Sequence, residues 1–174
     1  MKKGGAHKHR VQLLGSGTIL REVIAAAELL ETDWKVSADI WSCPSFTELR
    51  REGLAAERWN LLHPLEATRR SHVETCLAKQ PGPVIAATDY MKAFADGVRQ
   101  FMPKGRTYRA LGTDGFGRSD TREKLRHFFE VNRYFVAITA LKALADDGAI
   151  EAGVVAEAIR KYGIDSEKAD PTRV

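Results

Sequence analysis

The stretch Gly112-Thr113-Asp114-Gly115-Phe116-Gly117-Arg118-Ser119-Asp120 gathers an acid, a ring and a fixed cation on a short backbone segment. Gly115 and Gly117 flank Phe116, and glycine tolerates positive φ or close approach to another surface. Asp120 is placed to cap the following helix, with Glu123 reaching back three residues later as in a capping box. Asp114, Phe116 and Arg118 are then left free to make a contact. The plainer alternative is a well-capped strand-to-helix turn.

Other residues invite chemistry less strongly. Gly15-Ser16-Gly17 follows an apolar run and opens a helical pattern, as a dinucleotide fingerprint does. Leu20 stands where the third glycine is needed, and Trp41-Ser42-Cys43-Pro44 offers no acid for a ribose, so a tight turn is expected and a nucleotide-dependent oxidoreductase is not. Cys43 and Cys76 show no CxxC or zinc spacing and suit a reducing cytoplasm. Cys43 has no adjacent histidine or lysine in sequence and is expected to be a quiet buried thiol. Asp89 and Asp114 would share one edge as acid and base, but a helix cap and a turn residue are expected instead. His63, beside Pro64, reads as structural or surface. His7 and His9 flank Lys8 in a polar lead, where a disordered or added leader is expected rather than a metal tract.

Composition narrows the class. The 174 residues are one domain's length, enough to bury a core without disulfides or metal. Lys2, Lys3, Lys8 and Arg10 sit in the first ten residues without an acid, leaving 23 cations against 23 anions elsewhere. The net charge of +4 therefore describes a basic, flexible lead (residues 1–10) and not a basic face, which argues against nucleic acid as a partner. No apolar run is long enough to span a membrane, and the start lacks a signal peptide's apolar core. A cytoplasmic protein with a single domain over residues 11–174 is expected.

The elements that must position these residues alternate. Strands are expected at residues 11–14, 35–42, 84–87 and 108–111, where short apolar or alternating runs are bounded by Gly, Pro and Ser. Helices are expected at 18–31, from 46 to Gly53, 54–62, 68–79, 90–101, 121–129, 132–145 and 151–162. The helix at 90–101 should bury Met91, Phe94, Val98 and Phe101. The helix at 132–145 carries a stripe of Phe135, Ile138, Leu141 and Ala145, and the last one a stripe of Val155, Ala158, Ile159 and Tyr162. Residues 166–174 are polar and should lie on the surface. Strands alternating with helices imply an α/β fold: a three-layer α/β/α sandwich on a mostly parallel sheet. Parallel strands would bring residues 15–17, 43–45, 88–90 and 112–118 to one edge, where ligands of open α/β sheets bind.

Six segments carry a resemblance: residues 14–23, 45–49, 57–60, 62–64, 87–92 and 111–120. In this order they resemble the C-terminal domain of the homodimeric bacterial pyruvate dehydrogenases, which share the transketolase architecture. The resemblance implies a sheet of four to five strands, the first antiparallel and lying before Met1 or beginning at residues 1–3. It implies thiamine diphosphate and magnesium for the whole enzyme, held by its other domains. Their Gly-Asp-Gly and Asn-Asn motif is absent here, so no catalytic, cofactor-binding or metal-binding residue is carried onto this chain. Asp114, Phe116, Gly117 and Arg118 are then expected at an interface with the other domains or the dimer mate, and the dihydrolipoyl acetyltransferase component is a partner of the whole assembly. A non-enzymatic module binding a small anion or a partner protein is the alternative.

Overall fold

Val11 and Leu13 point to one side of the first strand while Gln12 and Leu14 point to the other, so one short segment feeds two layers. The computed structural model describes residues 1–174. Four strands, β1 (His9–Gly15), β2 (Val36–Ser42), β3 (Val84–Ala87) and β4 (Tyr108–Leu111), pair in the order β2-β1-β3-β4, all parallel. Helix α1 (Leu20–Trp34) crosses from β1 to β2 on one face. The chain then returns over β1 through α2 (Phe46–Leu62) and α3 (His72–Leu77) on the other face, and α4 (Lys92–Asp96) links β3 to β4. Three further helices follow: α5 (Arg122–Phe128), α6 (Arg133–Asp146) and α7 (Ala152–Lys161).

The sheet divides the core. Val11, Leu13, Val36, Ala38, Ile40 and Ile85 meet α1 and α6 on one side. Leu14, Val84, Ala86 and Tyr108 meet Phe46, Val73, Leu77 and Phe101 on the other. This is the α/β sandwich expected, with four parallel strands. An antiparallel contact exists only as the bridge Lys2–Ile40 on the outer side of β2, where the antiparallel strand was expected to begin.

The basic lead lies along this edge. Gly4 N–H donates to Asp39 at 3.0 Å and His7 N–H to Ser37 at 2.8 Å. Arg10 belongs to β1, and its guanidinium meets the buried Asp39 carboxylate. Gln12, fully buried, donates Nε2 to Asp39 and to the Pro81 carbonyl, both at 3.0 Å, and accepts from Trp41 Nε1 at 2.8 Å. A buried charge is tolerable when every lone pair is satisfied in this way.

Several helix boundaries differ from expectation, each for a local reason. The break at Gly53 is absent: α2 runs through it, because that glycine is a contact and not a stop. A Cβ there would fall 2.6 Å from the Phe101 ring. Residues 68–70 stay outside α3, since Ser71 is its cap, accepting the Glu74 N–H at 3.0 Å. The helix expected over 90–101 is a short α4 and a 3-10 turn, Arg99–Phe101. Val98 and Phe101 are buried as expected, but Met91 and Phe94 face outward. The stripe on α6 is out of phase by one position: Val136, Ala137, Ala140 and Leu144 are buried with Leu141, while Phe135, Ile138 and Ala145 lie at the margin. The α7 stripe holds, and Tyr162 locks it to α1 by accepting from Trp34 Nε1 at 2.7 Å and donating to Asp33 at 3.1 Å. No helix is long and apolar enough to cross a membrane.

Gly53→Ala tests the Phe101 contact. Alanine gains about 1 kcal/mol of helix propensity, but overpacking a filled core costs about 1–3 kcal/mol. A net loss in urea denaturation is expected, and the same change made in a Phe101→Leu background should cost less relative to Phe101→Leu alone.

Candidate functional site at the carboxyl edge of the sheet

The order β2-β1-β3-β4 reverses direction between β1 and β3, and the four strand-end loops meet there. Main-chain pairing continues beyond the strands: Cys43 N–H donates to Gly15 O, Ser16 N–H to Ala87 O and Thr88 N–H to Leu111 O. Ser16 Oγ then donates to Thr88 Oγ1 at 2.9 Å, and Thr88 Oγ1 also accepts the Tyr90 N–H. The loops form one cross-linked floor.

Glycine serves this floor at specific points. Gly15 presses against α1, where a Cβ would lie 3.0 Å from Leu20 Cα and Val23 Cγ2. Gly17 takes a left-handed φ of 52° and starts a 3-10 turn, Gly17–Ile19. The Gly15-Ser16-Gly17 segment is thus the tight turn expected. At Gly112 a side chain would strike Lys92 N and Tyr90 O, each 2.6 Å away.

The two acids take separate roles. Asp89 Oδ2 accepts from Thr18 Oγ1 at 3.2 Å, and Asp114 Oδ2 accepts the Lys92 N–H at 3.2 Å. Asp114, expected as a turn residue, ties its loop to the start of α4 instead. Asp89 does not cap a helix: α4 begins at Lys92 after Met91, and Asp89 ties the β3 loop to the turn after β1. Nor does Asp120 cap α5. Thr121 is the cap, accepting the Lys124 N–H at 3.4 Å, while Asp120 accepts from Thr121 N–H.

Of the loop residues singled out in the sequence, Phe116, Gly117 and Arg118 lie outward and Asp114 is half-buried. Phe116 is 80% exposed. Arg118 sits over the Phe128 ring at 4.3 Å, a cation–π contact that holds its guanidinium at the rim. Gly117 has open space around it. Gly115 adopts φ 106°, and a Cβ there would lie 2.1 Å from the Pro171 carbonyl. Pro171 is therefore buried against the loop, unlike the rest of the polar tail.

Sequence reasoning missed the outward apolar residues of the neighbouring loop. Tyr90 (65% exposed), Met91 (53%) and Phe94 (40%) join Phe116 at this edge. The Tyr90 and Phe94 rings meet edge to face at 5.8 Å. Tyr90 and Phe94 line a cleft of about 320 Å³ with Ser16, Pro44 and Phe46. The signal was misread: Met91 and Phe94 fit a helical stripe, and period alone does not say which side a stripe faces.

A buried acid holds the loop's far anchor. Glu22 on α1 accepts from Arg126 on α5 at 2.9 Å and from the Arg133 main-chain N–H and Nε at 3.0 Å. Burial pushes its carboxyl up, but the Arg133 hydrogen bonds and the charges of Arg133 and Arg126 more than reverse this. The group titrates below its ordinary value of 4.5.

The side chains present do not fit thiamine diphosphate with magnesium. No three His, Cys, Asp or Glu side chains converge where a metal ion could be held. Asp89 and Asp114 already accept internal donors.

Comparison with known proteins adds the family context. A family model described as the transketolase-like TK C-terminal domain matches residues 1–132. The chain is 66% identical over 165 residues to the pyruvate dehydrogenase E1 component of Cupriavidus necator, covering 95% of this chain and 18% of that protein. Its identity is 63% to the protein of that name from Pseudomonas aeruginosa and 52% to that from Escherichia coli, over 94% of the chain in each case. The chain thus spans 18% of the length of these relatives. A split-gene transketolase, an inactive β4 tetramer, superposes with a TM-score of 0.52 at 16% identity, covering 80% of this chain and 40% of that one. The transketolase of Leishmania mexicana gives 0.50 at 18% identity, over 82% of this chain and 17% of that one. These two similarities establish shared fold.

Because the folded Glu22 carboxyl titrates below the unfolded one, its contribution to stability is complete above about pH 4.5 and is lost as pH falls through the lower folded value. Glu22→Gln should cost roughly 2–4 kcal/mol near neutrality by leaving two arginines unpaired. It should also flatten the acid limb of a stability-against-pH curve measured by chemical denaturation.

Proposed function

The chain belongs to the transketolase-like TK C-terminal domain family, and we propose that it is the C-terminal domain of a homodimeric pyruvate dehydrogenase. That enzyme decarboxylates pyruvate and passes the acetyl group to a lipoyl carrier. In this reading the domain contributes assembly and the shape of the active-site entrance, and the isolated domain is inactive. Thiamine diphosphate and magnesium are held by the rest of the polypeptide. The partners are the other domains of the enzyme, the dimer mate and the dihydrolipoyl acetyltransferase component, in the cytoplasm.

The observation that carries the reading is the grouping of Tyr90, Met91, Phe94 and Phe116 on one exposed edge of a chain spanning 18% of its relatives. Single exposed apolar residues are ordinary, but four large ones at one strand-end edge mark a contact surface. The remaining polypeptide is available to cover it. Arg118 at the rim suits a two-pronged bond to a carboxylate across the contact, which lysine would not reproduce. Gly117 leaves room for the opposing surface, and Asp114 fixes the loop by holding the start of α4.

Arg118→Ala in the intact enzyme separates assembly from folding. Its internal contact is one exposed cation–π pair, so domain stability should fall by less than about 1 kcal/mol. Dimer affinity or turnover should fall by about tenfold or more, as for a truncated interface arginine. Wild-type dimerisation and turnover in this variant would overturn the assignment.

A further inference from the structure

The face of the sheet covered by α2 and α3 contains an apolar cavity of about 400 Å³, which adjoins the cleft at the exposed edge through Pro44 and Ser45. Leu14, Trp41, Leu49, Val73 and Leu77 line it, and both cysteines open onto it. Their surroundings differ. Cys43 is buried, and that burial, with the nearby Cys76 charge, pushes its thiol up to about 12. Cys76 is partly exposed on α3, and its Sγ lies 3.4 Å from His72 Nε2, one helical turn earlier. Spacing of i and i+4 puts the two side chains on one face of the helix. The Glu52 carboxylate on α2 accepts the His72 main-chain N–H at 2.8 Å, which fixes the helix start against α2. Glu48, at the cavity rim, is held by Arg51 and not by His72.

A thiol within reach of an imidazole, at the mouth of an apolar cavity, is the arrangement that makes a selective nucleophile. We propose that Cys76 is a covalent modification site that takes small apolar α,β-unsaturated carbonyl compounds, with His72 as its base. The Cys76 proton passes to His72 Nε2 in the tautomer protonated at Nδ1. The thiolate adds to the β-carbon, forming the S–C bond as the C=C π pair moves through the enolate. The imidazolium then returns its proton to the α-carbon. The net reaction is addition, with nothing oxidised or reduced. The aliphatic tail of the electrophile occupies the space between Leu49, Val73 and Leu77, and Cys43 remains a buried, unreactive wall.

Intact-mass and peptide mapping of the 174-residue chain treated with trans-2-hexenal tests this, with acrylamide as the small polar electrophile and glutathione as the reference thiol. One adduct, on Cys76, is expected. Its hexenal-to-acrylamide rate ratio should exceed that of glutathione by about tenfold or more, because the tail's methylenes are buried. His72→Gln should slow the addition by about tenfold or more, Leu49→Ser should bring the ratio back towards that of glutathione, and Cys43→Ser should change neither. Circular dichroism checks that each variant is folded. Labelling of Cys43, a ratio equal to that of glutathione, or an unchanged rate in His72→Gln would each overturn the proposal.

Discussion

Parallel pairing of four strands is the constraint from which the rest follows. Each crossover helix must return the chain to the same end of the sheet, so all four carboxyl ends abut. β3 and β4, four residues each, leave little sheet to stabilise them, and the ladder runs on into the loops beyond Gly15, Ala87 and Leu111. Close loops leave no room for side chains, which is why Gly15 and Gly112 sit where they do. The outcome is a cross-linked floor from which the large side chains of Phe116 and of the Tyr90–Phe94 corner project.

Two buried polar centres hold the layers to that sheet from opposite directions. Gln12 and Asp39, in the middle of adjacent strands, bind the lead, Arg10 and the loop before β3. Glu22 binds α5 and α6 to α1. Buried ion pairs contribute little net stability compared with apolar packing, but they penalise every alternative arrangement that leaves a charge unpaired. Here Glu22 fixes the end of α5 and the start of α6 against α1.

Much of this was legible in the sequence. Val84–Ala87 is an apolar run after Pro83, and Tyr108–Leu111 is a short run around Arg109 closed by Gly112, so both read as strands. Ser45, three residues before Glu48, has the spacing of a capping box, and its Oγ accepts the Glu48 N–H. Errors arose where a residue serves tertiary contact. Gly53 signals a break locally, yet it admits the Phe101 ring. Met91 and Phe94 fit a buried helix in pattern and instead face outward, because the connection forms only the short α4 and a 3-10 turn, which bury Ala95, Val98 and Phe101. Arg10 reads as part of a flexible tail until the acid it pairs with, 29 residues away, is placed beside it. At the edge, the loop and its outward Phe116 and Arg118 were foreseeable from glycine spacing. The inward turn of Asp114 and the role of Asp89 were not, since both depend on neighbours from other strands.

The functional account rests on the carboxyl edge being a covered surface in the whole enzyme. Hydroxyl-radical footprinting of the 174-residue chain and of the intact enzyme reads this directly at Tyr90, Met91, Phe94 and Phe116. The account predicts strong labelling of all four in the chain by itself and protection of all four in the enzyme. Equal labelling in both would contradict it.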